Sequence, residues 1–198
     1  MKKITGIILT AILILSFGIT SNAETSSDDS IQVNENKGTF ENMELIDSKI
    51  DEKTGVQIDV YGSTEPLPNV TPFAGNGRWD YISGEDWVMN GNWNDVRIDG
   101  VRKSNGGDYS LVIPPHEPTW KPDNQRYGVY IELWEDDPMD DDYVASYNVN
   151  GVISYPNYHI AFRDLNKFVD GANKKAEFYT THQTTYKTAN NLWVKYFD

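Results

Sequence analysis

Cysteine is absent from the 198 residues, which excludes a disulfide framework, a thiolate metal site and a lipid-anchored N-terminal cysteine. Histidine is scarce: His116, His159 and His182 are the three present. No His-x-x-x-His spacing offers a transition-metal site, and no Gly-x-Ser-x-Gly elbow offers an activated serine. With so many acids, any carboxylate pair at glycosidase spacing carries no information, so the sequence names no catalytic residue. Basic residues are in the minority, 17 Lys and Arg against 30 Asp and Glu, for a formal net charge of −13. Such a field repels phosphate, which excludes nucleic acid as a partner and requires a bridging cation at any anionic membrane. Beyond the first twenty residues no apolar run is long enough to span a bilayer, so a mature chain would carry no transmembrane segment. A Leu-Pro-x-Thr-Gly wall anchor is also missing.

The start of the chain reads as an export signal. Lys2 and Lys3 form a positive n-region, Ile4 to Ile19 an apolar core, and Ser21-Asn22-Ala23 a small-residue cleavage site. Residues 1–23 are therefore expected to be a signal peptide, which makes the protein secreted and extracellular, in a pattern that fits a Gram-positive bacterium. Losing the two lysines takes the net charge to about −15.

Residues 24–73 are rich in Asp, Glu, Ser, Asn and Thr, and end in Glu65-Pro66-Leu67-Pro68 and Thr71-Pro72. This composition is expected to give an acidic flexible leader or pro-segment, with Val56 to Tyr61 as one strand that docks on the main domain. From Ala74 onward all six tryptophans appear and turn signals recur at strand-sized intervals. Tyr109 to Ile113 lies between Asn105-Gly106-Gly107 and Pro114-Pro115. Val129, Ile131 and Leu133 alternate with Tyr130, Glu132 and Trp134, and Asn150-Gly151 signals a type I′ hairpin into Val152 to Tyr155. One short helix is expected at Leu165 to Val169, with Asp164 as N-cap and Gly171 beyond its last turn. Ala176 to Thr180 and Leu192 to Phe197 alternate again. Residues 74–198 are thus expected to form a mainly β domain, an antiparallel β-sandwich of about seven or eight strands with one short helix.

Five aspartates and one glutamate fall within Glu135 to Asp142, with no Lys or Arg among them. Hard oxygen ligands at this density suit Ca²⁺. The expected metal ligands are Glu135, Asp137, Asp140, Asp141 and Asp142, and Ca²⁺ is the expected cofactor. The stretch Glu135-Asp136-Asp137, Pro138 to Asp141, then Asp142-Tyr143-Val144-Ala145, fed by Glu132-Leu133-Trp134, resembles the third calcium loop of calcium-dependent phospholipid-binding β-sandwich domains of the synaptotagmin and protein kinase C type. Pro118-Thr119-Trp120 resembles their upstream Asn-Pro-x-Trp turn. The resemblance implies a calcium-bridged surface contact, with Asp95, Asp99 and Asp108 as candidates by location for the acids of a first loop. Asp170-Gly171-Ala172-Asn173 offers further oxygens, although its ordinary role is to end a helix.

Trp79, Tyr81, Trp87 and Trp93 cluster among glycines and asparagines. Glycine lets a backbone expose a ring, and an exposed ring beside amides stacks on sugars. Trp87 and Trp93 are the expected ligand-binding residues. The sequence therefore points to a secreted calcium-binding β-sandwich module that binds an extracellular or envelope surface, through a cell-surface glycan or a calcium-bridged membrane. A carbohydrate-binding module with structural calcium and a secreted toxin or bacteriocin-like protein stand as alternatives.

Overall fold

The computed structural model describes residues 43–63, 79–120, 128–150 and 157–198. The expected signal peptide, most of the expected leader and the Val152 to Tyr155 half of the hairpin lie outside the described residues. What is described is antiparallel β structure. Its strands are β1 (Glu44–Ile50), β2 (Gln57–Ser63), β3 (Tyr81–Trp87), β4 (Arg97–Ile98), β5 (Arg102–Ser104), β6 (Tyr109–Ile113), β7 (Pro118–Trp120), β8 (Gly128–Glu135), β9 (Asp142–Asn150), β10 (Asn157–Arg163), β11 (Ala176–Thr184), β12 (Lys187–Thr188) and β13 (Leu192–Phe197).

One sheet runs β1-β2-β10-β6-β13-β3, a second runs β4-β11-β8-β9 with β5 also on β11, and β12 pairs with β7 apart from both. The two larger sheets stack through their inward side chains. Ile58, Val60, Leu111, Ile160 and Val194 from the first meet Ile131, Leu133, Val144 and Phe178 from the second in one core. The period-two patterns cause this, because alternate side chains leave a strand on opposite faces. The mainly β sandwich read from the sequence is the fold, divided into more and shorter strands than the alternation signalled.

The domain starts earlier than the compositional break at residue 74. Strand β2 lies inside the first sheet, bonded to β1 on one side and β10 on the other, and its Ile58 and Val60 are core residues. Residues 44–63 are therefore part of the sandwich. Strand β1 is hard to read because it is an edge strand with exposed Leu45 and Ile50, so it lacks the alternation that burial imposes. Asp51 fixes the hairpin. Its carboxylate accepts N–H bonds from Lys53 at 3.0 Å and Thr54 at 3.2 Å inside the turn, and reaches across to Tyr143 OH at 2.7 Å and Ser146 N–H at 3.2 Å on β9. Burial opposes its charge, but the Tyr143 hydroxyl and these N–H groups outweigh that and hold its pKa below the usual carboxylate value. Gly55 closes the turn at φ 74°, in the left-handed region that glycine tolerates.

The expected helix is one 3-10 turn, Leu165–Phe168. Asp164 is not its cap: the residue is itself left-handed at φ 56° and makes no side-chain capping bond. The turn is held from outside, by Leu165 N–H donating to Gly107 O at 2.5 Å. Gly171 is left-handed at φ 62°, as expected, but it serves a tight turn closed by the Asp170 and Lys175 bridge.

Replacement of Asp51 by Ala tests whether the 44–63 hairpin is structural. Losing the bonds that a buried carboxylate makes to Tyr143 and Ser146 is expected to cost about 2–4 kcal/mol in urea unfolding, whereas a flexible leader would leave stability unchanged.

Candidate metal centre

The β8–β9 hairpin places the acidic loop. Its register shifts at Leu133 and Trp134, so that Val144 and Ala145 both enter the core, as a bulge allows. Beyond the bulge Glu135 faces Asp142 across the ladder, and residues 136–141 form the connection. The near end of that connection is tied to β11. Asp136 N–H donates to Glu177 O at 2.7 Å and Glu177 N–H donates to Glu135 Oε1 at 3.2 Å.

Glu135, Asp137 and Asp170 are the acids that converge, with a carboxylate oxygen from each lying within 4.8 Å of the others. Glu135 is 2% exposed, Asp137 is half-buried and Asp170 is at the surface. Among the described residues no Lys, Arg or His is paired with any of the three. Asp170 arrives from the turn after the 3-10 segment, the stretch that was expected to end a helix and that also offered further oxygens. Its position is set by the 170–175 hairpin, in which Lys175 N–H donates to Asn173 Oδ1 at 2.9 Å and Asn173 Nδ2 donates to Glu177 Oε1 at 2.8 Å.

The remaining expected ligands lie elsewhere. Asp140 and Asp142 are exposed and outside the converging set, and Asp141 accepts the Tyr179 hydroxyl at 2.7 Å. Met139, just before Asp140, is 98% exposed at the loop tip. The candidates for a first calcium loop do not approach it. Asp95 pairs with Arg97, Asp108 pairs with Arg163, and Asp99 is buried in the core.

The cluster's electrostatics are unfavourable without a cation. Burial, followed by the charges of Asp137, Asp170 and Glu177, pushes the Glu135 pKa up to about 7 despite the Glu177 N–H bond. Loss of water contact and then the Asp170 and Asp142 charges raise Asp137 as well. All available ligands are oxygens, a donor set that suits Ca²⁺ better than Zn²⁺.

The aromatic candidates separate. Trp87 is 0% exposed and cannot stack on a sugar. Its indole lies flat on His182 at 4.1 Å between centroids, and its Nε1 donates to Asp99 Oδ2 at 2.9 Å. Trp93 is 41% exposed and leans on Tyr130 at 6.0 Å. Trp87 follows Gly84-Glu85-Asp86 and Trp93 follows Asn90-Gly91-Asn92, and neither context by itself says which ring is buried.

Residues 81–196 match the family described as "YndA coiled coil domain". The chain belongs to the YndA family. It is 32% identical over 110 residues to "Uncharacterized protein YndA" of Bacillus subtilis (strain 168), a match covering 54% of this chain and 67% of that protein. The family span runs from β3 to β13 and contains Glu135, Asp137 and Asp170. Within that span the described residues form strands and one 3-10 turn, with no α-helix from which a coiled coil is built.

The cluster predicts a stability signature in the absence of divalent ions. A carboxyl whose folded pKa is raised contributes most below its unfolded value and loses that contribution as pH rises through the folded one. Glu135 should therefore destabilise the fold progressively as pH rises from about 4 through its raised folded pKa of about 7. His159, pushed down to about 3 by burial and then by Arg163, slopes the other way: its contribution is complete above about pH 6.5 and is lost as pH falls. The difference between the wild type and Glu135→Gln, measured by urea unfolding in EDTA, isolates Glu135. It should fall across that range, and a flat difference would show that the carboxyl titrates normally.

Proposed function

We propose that this chain is a secreted, calcium-stabilised β-sandwich module that binds an extracellular or envelope surface. The observation that carries the reading is the convergence of Glu135, Asp137 and Asp170, one of the three being buried. Burying a carboxylate among like charges is costly unless a cation completes the site. The ion would take these three carboxylates together with loop carbonyls and water, and would join the β8–β9 connection to the turn before β11. The charged n-region, apolar core and Ala23 support export to where Ca²⁺ is millimolar.

Surface binding is supported by what the loop adjoins. Its Asp141 holds Tyr179, and Trp134 immediately precedes Glu135, so the cation site borders an aromatic sheet face. The exposed Met139 tip is the feature that a calcium-bridged membrane contact would use.

Calorimetric melting in Ca²⁺ and in EDTA tests the reading. With a Kd of roughly 10⁻⁴ to 10⁻³ M, typical of extracellular sites, an ion at about ten times Kd adds about 1.4 kcal/mol and raises Tm by a few degrees. The combined change Asp137→Asn and Asp170→Asn should abolish the shift. Identical melting in Ca²⁺ and EDTA would sink the proposal.

A further inference from the structure

The outer face of the second sheet is ordered in rows by the registers of β9, β8 and β11. Trp134 stands between Tyr143 and Tyr179, Glu132 between Ser146 and Thr181, and Tyr130 between Asn148 and Gln183. Neighbouring strands are about 4.8 Å apart and alternate residues about 6.8 Å apart along a strand. A band of three rings roughly 10 Å long therefore lies beside a row centred on one carboxylate, then a row with two amides. Trp93 extends the far end, beside Tyr130.

The rings are fixed rather than loose. Tyr143 OH is held by Asp51 and Tyr179 OH by Asp141, each at 2.7 Å, and Trp134 packs edge-on against Tyr143 with centroids 5.4 Å apart. Glu132 accepts Tyr130 OH at 2.9 Å, Trp134 Nε1 at 3.1 Å and Thr181 Oγ1 at 3.4 Å. These donors are all neutral, and among the described residues no cation is paired with this carboxylate. An ammonium already sits on the same face: Lys53 Nζ lies 4.5 Å from the Tyr143 ring centroid.

Ring planes beside amides and hydroxyls suit sugar rings, and an unneutralised carboxylate among them suits a cation. The net charge of −13 repels anionic polymers. We propose that this face binds a glycan carrying free amino groups, with sugar rings on the Tyr143, Trp134 and Tyr179 row and an ammonium at Glu132. The proposal rests on the reading of the chain as a surface-binding module, and not on its cation site.

Titration calorimetry of the full chain with short glucosamine oligomers and with their N-acetylated counterparts tests it, in Ca²⁺ and again in EDTA. The amino form should bind about tenfold more tightly, and Glu132→Gln should erase the preference while Asp86→Asn, on the other sheet, keeps it. Equal or tighter binding of the acetylated form would overturn the proposal. So would absence of binding, an unchanged preference in folded Glu132→Gln, or an equal loss in Asp86→Asn, which would mean attraction to overall charge. If Glu132→Gln does not fold, the wild-type preference decides, together with its loss in about 1 M NaCl. Amino-glycan binding in EDTA without any calcium-dependent melting shift would refute the calcium reading alone, while sugar binding that needs Ca²⁺ would support both.

Discussion

The two sheets are joined at a buried carboxylate. Asp99 receives Trp87 Nε1 at 2.9 Å, Tyr196 OH at 2.6 Å and the Thr180 hydroxyl, and faces His182 Nδ1 at 3.4 Å. Trp87 and Tyr196 belong to the first sheet, Thr180 and His182 to the second, and Asp99 directly follows β4 of the second. An isolated charge in such a core would cost several kcal/mol. Its donors reverse the effect: burial raises the Asp99 pKa, yet His182, Thr180 and Tyr196 together bring it below the ordinary value. Arg102 adds a guanidinium stacked on Tyr196 at 3.7 Å. A network of this kind fixes how the sheets sit against one another, where an all-aliphatic interface could slide.

Strand β11 carries that constraint outward. Its inward residues Thr180 and His182 meet Asp99, its outward residues Tyr179 and Thr181 belong to the aromatic face, and its first residues hold the acidic loop through Glu177. Core, face and acidic cluster therefore all lean on one strand. A shift of β11 by a single residue would exchange the inward and outward sets and dismantle all three. The same strand also explains why three acids stay close together despite repulsion: Glu177 bonds lock Glu135 from one side and the Asn173 turn from the other.

The legible parts of the sequence were those bounded by turn residues. Alternation at Val129, Ile131 and Leu133 gave β8, and Tyr109 to Ile113 gave β6, because each strand has turn residues at its ends. The acidic loop was visible as composition and the Asp170 turn as a source of oxygens, but it was not visible that Asp170 replaces Asp140, Asp141 and Asp142 beside Glu135 and Asp137. Asp170 is 33 residues from Asp137, and only the fold brings the two together. Trp87 and Trp93 lie six residues apart, and their separation into core and surface depends on Asp99 and His182, which lie at distances no local pattern reports. Val56 to Tyr61 was read as a strand docking on the domain and forms most of β2, whereas β1 was read as leader because an edge strand tolerates exposed residues, and because the hairpin's anchor, Asp51, spends its bonds on Tyr143 and Ser146 more than ninety positions away. Asp164 before Leu165 looked like a cap, but a left-handed backbone directed the chain into a single 3-10 turn.

The central claim is that a cation is held by Glu135, Asp137 and Asp170, rather than by the acidic loop alone. Terbium luminescence tests this most directly, since Trp134 adjoins Glu135 and can sensitise a bound lanthanide. The account predicts emission on tryptophan excitation that Ca²⁺ displaces, that Asp170→Asn abolishes, and that Asp140→Asn leaves in place. Emission insensitive to Asp170→Asn, or none at all, would contradict it.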